Sequence, residues 1–97
     1  MTAQAAASST YHATDGAAYE VWLGRWARRL AHPFLDFAAF PEAGDILDVG
    51  CGTGALTFAM ADRWPGRRVV GVDLAAPFLA YARSHRSGEQ PIFEIGD

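Results

Sequence analysis

Residues 45–54 read Asp-Ile-Leu-Asp-Val-Gly-Cys-Gly-Thr-Gly. A short apolar run carries an acid near its end, then breaks into a loop with glycine at every second position. A helical pattern follows at once in Ala55, Leu56, Thr57, Phe58, Ala59, Met60 and Ala61. Strand, glycine loop and helix in immediate succession open a ligand-cradling βαβ unit. That opening commits the neighbouring chain to a parallel sheet with helical crossovers.

The flanking segments agree. Ile46, Leu47 and Val49 are apolar without clean alternation, the pattern of a strand covered on both faces. Trp64-Pro65-Gly66 stops the helix begun near Gly54, whose apolar face is Leu56, Phe58, Ala59, Met60 and Trp64. Arg68 to Asp73 is β-branched and ends in an acid, a second strand. Pro77 suits the first position of the next helix, which runs through Phe78, Leu79, Tyr81 and Ala82. No Ser, Thr or Asp cap precedes it directly, so Asp73 is left to act from a distance. Ser84 to Gln90 is a polar loop, and Pro91 to Ile95 a third strand. Upstream, Val21, Trp22, Trp26, Leu30, Phe34, Phe37 and Phe40 recur at three and four residues, an amphipathic helical pattern. Pro33 interrupts it, which predicts a kink near His32 or two helical pieces. Residues 1–18 are rich in Ala, Ser and Thr and read as a flexible leader.

The chain has 97 residues, enough for one small domain. Half its residues are apolar and net charge is −3, which fits a globular chain and points away from a polyanion-binding surface. Cys51 is a lone cysteine, without a partner for an internal disulfide or a metal spacing. His12, His32 and His85 are scattered and imply no metal site. No run approaches a membrane-spanning length and no secretory signal pattern opens the chain, so the expected compartment is the cytoplasm.

Glycines at 50, 52 and 54 let the backbone turn tightly and let a ligand lie against it. The helix after them points unpaired N–H groups at the loop, a site for a phosphate or a carboxylate. Gly50-x-Gly52-x-x-Ala55 also satisfies a dinucleotide spacing. Asp48 separates the two readings. A carboxylate beside the loop repels a pyrophosphate and attracts an ammonium or sulfonium group, so an amino-acid-bearing cofactor fits better. Asp73 ends the second strand about twenty residues on, the expected place for an acid that binds ribose hydroxyls. Leu74 is placed to pack on an adenine face, and Asp97, after the third strand, to accept its amino group. Cys51 lies near a helix N-terminus, but no histidine is related to it by spacing, and a small loop-filling role is preferred to a nucleophile.

The run 48–54, then Gly71-Val72-Asp73, then Gly96-Asp97 resembles the class I S-adenosylmethionine-dependent methyltransferases, closest to the small-molecule group with the L-D-V-G-C-G-T-G signature. The resemblance spans about residues 19–97. It implies a Rossmann-like parallel α/β sheet with flanking helices, the N-terminal half of a seven-stranded fold with the first strand in the middle, preceded by a helical lid. The implied organisation is a leader at 1–18, a lid at 19–40 and a partial S-adenosylmethionine-binding domain at 41–97. It assigns the cofactor to Asp48, Gly50, Cys51, Gly52, Asp73, Leu74 and Asp97. Arg25, in the lid segment, is the candidate partner for the cofactor carboxylate. No catalytic residue and no metal ligand is assigned.

The function expected is methyl transfer from S-adenosylmethionine to a small-molecule acceptor, with the chain holding the cofactor half-site. The second reading is a non-catalytic cofactor-binding fragment, and the third a dinucleotide oxidoreductase fragment. Neither nucleic acid nor membrane is expected as a partner. Self-association through an exposed sheet edge is.

Overall fold

In the computed structural model, Ala17 and residues 23–97 are described. The leader reading, and Val21 and Trp22 of the amphipathic pattern, fall outside these residues. Three helices and three strands alternate: α1 (Arg25–Ala38), β1 (Ile46–Val49), α2 (Ala55–Arg63), β2 (Val69–Asp73), α3 (Ala76–Ser84) and β3 (Ile92–Ile95). The sheet is parallel in the order β1-β2-β3, with Ile46 beside Val69 and Val70 beside Ile92. This is half of a Rossmann-like layer, as the alternating pattern predicts.

Strand order decides which face is covered. Each right-handed crossover advances the sheet in the same direction, so each deposits its helix on the same side. Side chains alternate along each strand. Ile46, Asp48, Val69, Gly71 and Phe93 therefore share the helical face, while Leu47, Val49, Val70 and Val72 share the other. On the helical side Val69, Met60, Leu79 and Phe93 are buried. On the opposite side Leu47 is 63% and Val49 67% exposed. Among the described residues, the unbroken apolar run of β1 thus has one covered face and one exposed face.

The α1 helix narrows one expectation and corrects another. It continues across Pro33 as one element, which excludes the two-piece alternative. It also turns a different stripe to the core than the large apolar residues indicate. Ala31 and Leu35 are buried with Ile46, Ala59, Met60 and Val69, while Trp26, Leu30, Phe34 and Phe37 stay exposed. A small residue such as Ala31 permits the close helix–helix approach that the bulky stripe forbids. Asp36 and Arg63 join α1 to α2 by an ion pair of 2.8 Å. In α3, Pro77 occupies the second helical position and not the first.

The two edges of the sheet are finished differently. On the outer side of β3 the Arg83 guanidinium donates to the Phe93 carbonyl, and Arg86 Nη1 donates to the Pro91 carbonyl at 3.1 Å. Pro91 has no N–H to offer there. On the outer side of β1 no hydrogen bond from a described residue caps Leu47 or Val49.

Candidate functional site

The site lies where β1 and β2 end. Gly50, Gly52 and Gly54 all adopt positive φ, at 74°, 60° and 95°, a conformation that L-residues with side chains rarely take. The loop is anchored on both sides. The amides of Gly50 and Cys51 donate to the Val72 carbonyl at 2.8 and 2.9 Å. The Gly54 amide donates to the Cys51 carbonyl at 3.0 Å and Gly54 begins α2. A Cβ at Gly54 would stand 3.0 Å from both Phe58 and Phe93, whereas one at Gly50 would meet nothing within 4 Å. The loop therefore packs against the core at its far end and opens to solvent at Gly50.

Two carboxylates flank it on the helical face. Asp73 is fully engaged by the backbone: Oδ2 accepts from the Gly52 amide at 2.8 Å and Oδ1 from the Ala75 amide at 2.8 Å. It ties the glycine loop to the end of β2. It does not cap α3, because the bond goes to the Ala75 amide just outside that helix and no side chain caps its first turn. Asp48 has one partner, the Thr57 hydroxyl, which donates to Oδ2 at 2.7 Å. Burial pushes the Asp48 carboxyl above its ordinary value; the Thr57 bond pulls it back, and the nearby Asp73 charge raises it further.

Cys51 turns its side chain beneath the loop, against Phe93, Leu79 and Ala82. Gly71 makes the room: a Cβ there would lie 2.9 Å from the Cys51 sulfur. Burial pushes the thiol up to about 12, with the charges of Asp48 and Asp73 adding to it. A thiol that stays protonated at neutral pH is no nucleophile, in keeping with the loop-filling reading.

The remaining candidates scatter. Leu74 is 71% exposed at the end of β2, beside the cleft. Asp97 follows Gly96, whose amide donates to the Asp73 carbonyl at 3.1 Å, so the chain beyond β3 runs alongside the end of β2. Arg25 is exposed on α1 and makes no hydrogen bond or ion pair with the loop. Arg28, almost one turn on, instead lines a cavity of about 110 Å³ with Thr53, Ala55, Phe58, Tyr81 and His85. Sequence reasoning missed Arg28 and Thr57. For Thr57 the available signal was a polar residue set among Leu56, Ala59 and Met60 one turn after the glycines.

The profile of a family described as methyltransferase domain matches residues 46–96. Malonyl-(acyl-carrier protein) O-methyltransferase from Acetivibrio thermocellus is 43% identical over 58 residues, covering 58% of this chain and 20% of the relative. CalS10, an amino pentose methyltransferase from Micromonospora echinaspora solved with SAM bound, is 40% identical with a TM-score of 0.60, over 84% of this chain and 33% of that one. Streptomyces venezuelae DesVI is 28% identical with a TM-score of 0.64, over 90% of this chain and 37% of that one. The chain spans about a fifth to a quarter of the length of the curated relatives it matches.

Proposed function

Because this chain belongs to the S-adenosylmethionine-dependent methyltransferase family, we propose that its glycine loop and two acids form the cofactor half of a methyl-transfer site acting on a small-molecule acceptor. The observation that carries the proposal is the opening above Gly50, where a Cβ would meet nothing within 4 Å, beside an Asp48 carboxylate whose second oxygen has no partner among the described residues. The residues present fit an aminoacyl nucleoside. Asp48 suits its ammonium group, and the open backbone of Gly50 suits the methionine chain, with Gly52 buried beneath it. The main chain of Cys51 contributes to the same cradle. Asp73 keeps lone pairs for ribose hydroxyls beyond its two amide bonds. Leu74 offers an apolar surface to adenine, and Asp97 an acceptor for its amino group. For the carboxylate we propose Arg25 or its neighbour Arg28, which lies nearer the start of α2.

S-adenosylmethionine, when bound, supplies an already activated methyl group. The work left to this chain is to bind, orient and exclude water. Asp48, one residue before the end of β1, and Asp73, the last residue of β2, lie on one face of neighbouring strands, so they fix the two polar ends of the ligand relative to each other. The α1 helix, part of the 19–40 segment, is proposed as a lid over the site, with residues 41–97 as the cofactor-binding part. A cytoplasmic location is part of the same reading; among the described residues no helix is long and apolar enough to cross a membrane.

Calorimetric titration of the chain with S-adenosylhomocysteine and, side by side, NAD tests the proposal. Heat of binding with the former alone is expected. Binding of NAD in preference overturns it in favour of a dinucleotide enzyme. We also propose that the uncapped β1 edge supports self-association. Sedimentation equilibrium should find the wild type larger than Leu47→Lys, and equal masses, both monomeric, would end that idea.

A further inference from the structure

Thr57 is fully buried in a helix face otherwise made of Ala59 and Met60. A threonine there has to give its hydroxyl proton to something. It reaches out of α2 and across the base of the glycine loop to Asp48, nine residues earlier. A carboxylate only accepts, so the proton of that bond belongs to Thr57. The branched threonine side chain is stiff about χ1, which fixes the direction of the bond. Oδ2 is occupied in this way, and Oδ1 has no partner among the described residues.

We infer that Thr57 is a positioning residue, whose hydroxyl fixes Oδ2 of the Asp48 carboxylate and leaves its second oxygen for the cationic end of the cofactor. This rests on the reading of the cleft as an S-adenosylmethionine site. The remaining titratable groups around Asp48 are Asp73 at the end of β2 and the Cys51 thiol in the loop. Neither donates a hydrogen bond to it. Thr57 is therefore the one described side chain that favours the charged form, and its loss leaves burial and the Asp73 charge unopposed.

The test compares Thr57→Val, nearly the same shape without the hydroxyl, with Thr57→Ser, which keeps it. Thr57→Ala removes the hydroxyl without the added methyl, should valine disturb packing. Carbon NMR of the Asp48 carboxyl in the ligand-free chain is expected to titrate at higher pH in Thr57→Val and Thr57→Ala, and as wild type in Thr57→Ser. Calorimetry with S-adenosylhomocysteine should show Thr57→Val weakened by about tenfold and Thr57→Ser binding as wild type. An unshifted Asp48 titration in the hydroxyl-free variants overturns the inference. A shifted titration in a wild-type background that binds no S-adenosylhomocysteine overturns the cofactor reading and the ligand half of this inference with it, leaving only the Thr57–Asp48 link.

Discussion

Asp48 and Asp73 lie near the ends of adjacent parallel strands, point to the same face and flank the same loop, yet they are held in opposite ways. Asp73 has an amide on each oxygen, 2.8 Å away in both cases. Asp48 has one hydroxyl and a penalty for burial. The first is wired into the backbone that shapes the loop. The second is held by one side chain, in surroundings that disfavour its charge. The difference teaches that two acids of similar sequence context are built in differently: one ties the loop together through both oxygens, and the other makes a single side-chain hydrogen bond.

Substitutions sharpen that contrast, and the largest effect on folding belongs to Asp73. Asp73→Ala strips two amides of a charged acceptor and should cost about 2 kcal/mol or more in urea unfolding, together with cofactor affinity. A stability equal to wild type would show that the loop holds without it. Gly71→Ala, beneath the same loop, should cost about 1–3 kcal/mol by crowding the Cys51 sulfur. Adding Cys51→Gly should recover much of that loss, and no recovery would point to crowding by the Phe93 ring, which the new Cβ would meet at 3.1 Å.

Asp48→Asn should behave in the reverse sense. The folded-state value of Asp48 is raised, so its contribution to stability is fully present below the unfolded value and is lost as pH rises through the folded one. At pH 7 the charge opposes folding. The variant should therefore be slightly more stable than wild type at pH 7 and lose that advantage as pH falls toward 4, while binding S-adenosylhomocysteine far more weakly. Unfolding curves at the two pH values check the sign. Leu74→Ala should do least to folding, within about 0.5 kcal/mol because the side chain is exposed. A drop in cofactor affinity at unchanged stability would support its place against adenine.

Much of the fold was legible because each apolar run is bounded by its own punctuation. Pro41 and Gly44 precede β1, Pro65 and Gly66 separate α2 from β2, and Pro91 opens β3. The glycine loop and its acids were legible because their spacing is chemical as well as structural. What escaped was set by partners distant in sequence. The hydrogen bond from the Gly52 amide to the Asp73 carboxylate joins residues 21 apart, and no local pattern announces it. The bare face of β1 follows from strand order, which a run such as Ile46-Leu47 does not encode. In α1 the loudest residues, Trp26, Leu30, Phe34 and Phe37, drew attention from Ala31 and Leu35, whose modest size lets the helix approach α2. Arg25 and Arg28 are almost one turn apart, and only the helix register decides which one reaches the cavity beside Thr53.

The two arginines that bond to β3, Arg83 and Arg86, have a consequence for the sheet as a growing object. They occupy the Phe93 and Pro91 carbonyls, whereas among the described residues nothing is bonded to the outward groups of Leu47 and Val49. The β1 border is therefore the readier one for a further strand. A parallel strand laid down there would bring its carboxyl end beside Gly50 and Asp48, so the open border and the open wall of the cleft are one and the same place.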